Sequence, residues 1–201
     1  MKSSIYILTA FAIGLLLGHF VGEPVFLKYS ELTQYILMLL LLLVGIDLGA
    51  DSNLLQKLRN SAWQSAIFPL IPIIGTYLGC VIYILVFPKQ PIREIFAISS
   101  GLGFYSLTGA IVTSQSGVVY GTLAVLVNLI REIATLTMTP IFVRFFGPWA
   151  PLATGGATAM DTTLPIIAKF TGEQYVIPAV YSGVVLTLAV PLLLSLVYLI
   201  F

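Results

Sequence analysis

Between Ala153 and Lys169 the chain reads Ala-Thr-Gly-Gly-Ala-Thr-Ala-Met-Asp-Thr-Thr-Leu-Pro-Ile-Ile-Ala-Lys. This run is rich in glycine and threonine and holds one carboxylate, Asp161, in a chain that is 59% hydrophobic and only 8% charged. Hydrocarbon cannot hydrogen-bond freed backbone groups, so such a segment is tolerated in a bilayer only where it is buried in protein or lines a watery cavity. Gly155, Gly156 and Pro165 disfavour an unbroken spanning helix. The stretch is therefore expected to form a ligand or ion site.

Composition sets the class. Soluble domains devote about a quarter of their residues to charge, whereas this chain of 201 residues has a mean hydropathy of +1.05. It reads as an integral membrane protein, with residues 1–201 forming a single transmembrane transporter domain. The net charge of +1 gives no clustered basic face for nucleic acid. The single cysteine, Cys80, lies in the apolar run Ile71 to Phe87 and reads as a small buried hydrophobe. No Walker-type loop, His-Glu-x-x-His pair or Cys–His couple is present, so neither a cofactor nor soluble-type catalysis is expected. An intramembrane aspartyl protease would need two carboxylates sharing a proton, such as Asp47 with Asp161, and is set aside.

Spanning takes roughly 20 mainly apolar residues, and the charges that bound such runs place the segments. Ser4 to Val21 reads as a first helix, since Phe20-Val21-Gly22-Glu23-Pro24 lacks a small-x-small cleavage signal. Leu32 to Gly49 reads as a second helix and about Trp63 to Phe87 as a third, kinked by Pro69 and Pro72. Ile95 to Ser116 is a second unusual segment, containing Ser99-Ser100-Gly101-Leu102-Gly103-Phe104-Tyr105-Ser106-Leu107-Thr108-Gly109. Val118 to Val143 reads as a long helix, ended by Arg144 and Gly147-Pro148-Trp149, and Tyr175 to Phe201 as the last.

Setting Gly101 against Gly156 pairs Ser106 with Asp161, Thr108 with Thr163 and Ile111 with Ile166 at one constant offset. Paired broken elements in corresponding positions point to a transporter site. The expected fold is all-α, with about five transmembrane helices plus two re-entrant or broken helical hairpins; the alternative is seven transmembrane helices. Lys and Arg favour cytoplasmic loops. If both unusual segments are hairpins, placing Lys2, Lys57 and Arg59 inside also puts Arg144 inside and leaves Lys28, Lys89 and Arg93 outside. The N-terminus is then cytoplasmic and the C-terminus outside, with the first hairpin inserted from outside and the second from inside.

A charge at the bilayer centre costs about 2.5 to 3.5 kcal/mol on insertion scales, which makes intramembrane acids functional candidates. Glu132 sits mid-way along its helix, with Asn128 on the same face and Arg131 about 100° away. Either neighbour could instead satisfy it in a structural network. Asp161, among Thr158, Thr162 and Thr163, suits a small cation such as Na⁺, a proton or an ammonium group. It could equally cap a helix beginning near Thr162. Asp47 lies within about a turn of its helix end, from which depth a carboxylate reaches the interface. His19 reads as interfacial; Tyr120, Tyr175 and Trp149 read as belt aromatics, and Tyr105 as a belt aromatic or a cavity-lining side chain.

Four runs, Leu42-Leu43-Val44-Gly45-Ile46-Asp47-Leu48, the Ser99 to Gly109 stretch, Asn128-Leu129-Ile130-Arg131-Glu132 and Gly155 to Pro165, resemble in the same order the bacterial lysine exporters of the LysO type. The resemblance implies export of lysine, and of toxic analogues such as thialysine, across the bacterial inner (cytoplasmic) membrane. It also implies membership of a superfamily of cation antiporters and anion transporters that often work by an elevator-like shift. Longer family members carry about three additional helices ahead of the matching part, so a homo-oligomer or a small separately encoded membrane subunit is expected. Glu132 and Asp161 are expected to bind the cationic groups of lysine or a coupling H⁺ or Na⁺, with Arg131 or hairpin N–H groups on its carboxylate. Asn128, Thr158, Thr162, Thr163, Ser106, Thr108 and Asp47 complete the candidate set. A passive pore or scaffold subunit, or an anion carrier of the same superfamily, are the alternatives.

Overall fold

The computed structural model describes residues 67–201, with the isolated positions Ile13, Leu16 and Leu39. The helices read at Ser4 to Val21 and Leu32 to Gly49, and with them His19 and Asp47, lie outside the described residues. Among the described residues there are helices and turns and no strand. They are α1 (Leu70–Val86), α2 (Ile92–Ser99), α3 (Tyr105–Ser116), α4 (Val118–Phe146), α5 (Ala150–Gly155), a 3₁₀ segment (Gly156–Met160), α6 (Leu164–Thr171), a 3₁₀ turn (Glu173–Tyr175) and α7 (Val176–Ile200).

Proline and glycine set the boundaries. Pro91 directly precedes α2 and Pro165 lies in the first turn of α6, where a missing N–H costs nothing. α4 starts after Gly117 (φ 92°) and stops at Gly147 (φ 82°), conformations that side-chain-bearing residues resist. It thus runs three residues past the expected Val143, because Arg144 in the last turn complements the helix dipole instead of ending the helix. At about 1.5 Å per residue, the 29 residues of α4 and 25 of α7 exceed a hydrocarbon core of about 30 Å. Both are apolar enough to cross a membrane. Their exposed leucines, isoleucines and valines, among them Val119, Leu123, Leu188, Leu192 and Leu199, suit contact with lipid chains.

The two unusual segments each double back. Ser116 Oγ, at the end of α3, donates to Glu94 Oε1 at the start of α2 (3.4 Å) and lies 3.0 Å from Tyr198 OH near the end of α7. At the opposite end of the molecule, Trp149 before α5 meets Tyr175 after α6, edge to face at 5.2 Å, and Phe68 before α1 at 4.9 Å. Each segment thus brings its two ends together, the first pair at one end of the described residues and the second pair at the other.

The constant offset that sets Gly101 on Gly156 extends well beyond the hairpins. It sets the last residue of α3, Ser116, on the last residue of α6, Thr171. Gly117 falls on Gly172 with nearly the same backbone, φ 92° and ψ 168° against φ 95° and ψ 160°. α4 then falls on the last helical stretch, Glu173–Ile200. Because α4 begins beside the end of α7, the two hairpin-plus-helix units run in opposite directions, as an inverted repeat. One apolar cluster (Ala97, Leu107, Val112, Ala124, Leu186, Val190, Leu194) holds the first unit against α7. A second (Phe68, Leu152, Ala159, Ile167, Ala179) sits at the other end.

Candidate functional site at the crossing of two broken hairpins

The breaks fall where sequence puts glycine. Between α2 and α3, Leu102 (φ 46°) and Gly103 (φ 102°) turn the chain; after α5, Gly156 (φ 61°) does so. The tips touch through backbone, Ala157 N–H donating to Leu102 O at 2.8 Å. A Cβ on Gly156 would stand 2.1 Å from Leu102 O, and one on Gly103 2.9 Å from Gly155 O. Leu102 and Ala157 are themselves equivalent under the repeat offset, so the two units meet at equivalent positions.

Helix α4 serves both breaks. Asn128, 2% exposed, accepts from Gly103 N (2.8 Å) and donates to Ala124 O (2.8 Å) and Ile98 O (3.2 Å), closing the open end of α2. Arg131 donates through Nε to Thr154 O and through Nη2 to Ala153 O, both at 2.8 Å, and lies 3.4 Å from Thr76 Oγ1. A helix C-terminus carries unsatisfied carbonyls and partial negative charge, and the guanidinium meets both on α5. Glu132, at the midpoint of α4, is 1% exposed.

A cavity of about 260 Å³ lies between the breaks. Gly103, Phe104, Tyr105 and Ser106 line it from the first, Ala157, Thr158, Met160, Asp161 and Thr162 from the second, and Thr187 from α7. Of the residues singled out by sequence, Ser106, Thr158, Asp161 and Thr162 therefore meet in one place. Thr108 and Thr163 are fully buried and support the turns instead. Thr108 Oγ1 donates to Phe104 O (2.7 Å) and Thr163 Oγ1 to Thr158 O (3.0 Å), and each hydroxyl backs a glycine, Gly101 and Gly155. Asn128, Arg131 and Glu132 are not on the cavity wall, but Tyr105, which lines it, lies within electrostatic reach of both Glu132 and Asp161.

Asp161 does not cap the helix that follows. The cap position of α6 is Thr163, and Asp161 Oδ1 instead accepts the N–H of Thr162. The carboxylate thus belongs to the break and faces the cavity region rather than being tied to the helix end. Sequence reading left out Met160 and Thr187. The signal that finds them is the offset, which sets Tyr105 on Met160 and Glu132 on Thr187. A larger groove of about 450 Å³, between α1, α2 and α4, is mainly apolar and carries none of the candidate residues.

Comparison with known proteins gives the family. The profile described as lysine exporter LysO matches residues 8–198. The chain belongs to the LysO lysine exporter family. It is 35% identical over 191 residues to a protein of Haemophilus influenzae provisionally named lysine exporter, with 94% of each chain covered. It is 32% identical over 190 residues to lysine exporter LysO of Escherichia coli, covering 94% of this chain and 60% of that one. No solved structure matches it. The family is one of transporters, which accords with the all-helical, apolar architecture and with a role in lysine export.

Proposed function

We propose that this chain is a secondary transporter that carries lysine, and analogues such as thialysine, out of the bacterial cytoplasm through the site where its two broken hairpins cross. The observation that carries the reading is the shared cavity, where Asp161 of one break faces Ser106 of the other beside freed backbone. Lysine brings two ammonium groups and one carboxylate. Asp161 takes one ammonium, and Glu132 takes the other or carries a coupling proton. Because Arg131 is engaged by the α5 carbonyls, the substrate carboxylate meets the open N–H groups of the first turn of α3, where Tyr105 and Ser106 line the cavity.

Coupling to H⁺ or Na⁺ follows from a carboxylate set among hydroxyls. Hairpins that are re-entrant from opposite sides, joined at their tips, suit an elevator-like shift of the site between the two faces. The first hairpin opens to the outside and the second to the cytoplasm, with the N-terminus inside and the C-terminus outside, and a homo-oligomer or a small partner subunit supplies the scaffold. Efflux of labelled lysine from loaded vesicles tests the reading, at several pH and Na⁺ values to identify the coupling ion. Glu132→Gln and Asp161→Asn each remove a charge-assisted contact of about 1.5–3 kcal/mol, and each is expected to cut export at least about tenfold with protein levels unchanged. Undiminished efflux in both would sink it.

A further inference from the structure

The repeat offset assigns a role to a residue that neither composition nor motif singles out. It sets Asn128 on Gly183 and, one turn further, Glu132 on Thr187. Asn128 is the contact of α4 with the first break, and Gly183 is the contact of α7 with the second. A Cβ at Gly183 would lie 2.6 Å from Met160 Cβ and 2.9 Å from Ala157 O, so the helix backbone is pressed against the 3₁₀ segment. That close approach brings Thr187, 3% exposed, to the wall of the Asp161 cavity. The offset thus pairs an acid with a hydroxyl twice, Glu132 with Thr187 and Asp161 with Ser106, and Ser106, Asp161 and Thr187 all line the cavity.

The local chemistry of Thr187 is one-sided. Its hydroxyl proton goes to Gly183 O at 2.8 Å, which leaves the oxygen able only to accept. Pro191, four residues on, has no N–H to offer the Thr187 carbonyl. A hydroxyl oxygen that can only accept, in the wall of a cavity that a carboxylate also lines, matches a cationic donor, an ammonium group above all.

We infer that Thr187 binds the ammonium group of the substrate in the Asp161 cavity, as the second unit's counterpart of Glu132. The inference rests on the lysine-export reading. Vesicles loaded with graded lysine and fixed Na⁺ give the apparent KM for efflux. Thr187→Val keeps the shape and removes the hydroxyl oxygen; it should raise KM roughly tenfold and leave the maximal rate within about twofold. Thr187→Ser should stay near the wild-type value, and Thr187→Ala replaces the valine variant if that protein does not assemble. An unchanged KM in the valine variant overturns the inference, as does a serine variant equally impaired, which would mark a packing role. A shifted Na⁺ dependence at unchanged lysine KM overturns it too, by assigning Thr187 to the coupling ion. Wild-type vesicles that move no lysine would instead overturn the export reading on which it rests.

Discussion

Asn128 and Arg131 share helix α4 and each closes the open end of a half-helix, but by different chemistry. The amide both accepts and donates, so it matches a break that presents an N–H and two carbonyls. Asn128→Ala leaves Gly103 N–H and Ile98 C=O unpaired in a buried place, at about 1–3 kcal/mol per orphaned group. Asn128→Asp keeps the acceptor for Gly103 but turns an oxygen on the Ile98 and Ala124 carbonyls. The aspartate variant is therefore expected to melt lower than the alanine variant in detergent, although it is the closer isostere. Arg131→Lys cannot fork onto two successive carbonyls. It should lower the melting temperature, whereas a guanidinium that held substrate would leave melting unchanged and raise KM. From the sequence, Asn128, Arg131 and Glu132 were legible as a polar group within α4, but the direction of each side chain was not. Spacing on one helix gives relative angle, and the partner that decides the direction arrives from a distant part of the chain.

At the level of elements, the broken hairpins depend on glycine in two distinct ways. Gly156 combines a left-handed backbone (φ 61°) with a carbonyl of the other hairpin 2.1 Å from where a Cβ would stand. Gly156→Ala costs about 1–2 kcal/mol from conformation alone. The clash falls on backbone that is hydrogen-bonded to the next residue, Ala157, and cannot swing aside. Loss of a monodisperse species on size exclusion is expected. Gly75, inside α1, has no neighbour among the described residues within 4 Å of a Cβ, and alanine is favoured over glycine in helices by about 1 kcal/mol. Gly75→Ala should retain or raise thermal stability in the same assay. Sequence located both breaks, because the glycines and Pro165 act on the backbone locally. It left open whether each broken segment crosses the molecule or turns back, since that depends on which distant ends meet.

For the whole molecule, the inverted repeat makes a prediction about sides. Val118 and Glu173 are equivalent under the offset, each begins the long helix of its unit, and both are exposed. Carried as single cysteines in a Cys80→Ala background, Val118→Cys and Glu173→Cys should react with a membrane-impermeant maleimide from opposite faces of sealed vesicles. Reaction of both from the same face would break the inverted arrangement. The cluster of Arg93, Glu94, Ser116 and Tyr198 closes one end of the molecule. Trp149, Tyr175 and Phe68 close the other.

By itself the sequence determined the membrane class, the long apolar helices, the places where helices must break, and the two acids Glu132 and Asp161. Hydropathy, left-handed backbone and intramembrane charge are all properties of short stretches. It also held the repeat, legible in four residue pairs around the breaks. Only the tertiary structure decided that both broken segments double back, that their tips are bonded at Leu102 and Ala157, and that Arg131 points to α5. It also brought Thr187 to the wall beside Asp161. These outcomes depend on contacts between stretches far apart in the chain, and local preference carries no information about which partner a freed carbonyl or N–H will find.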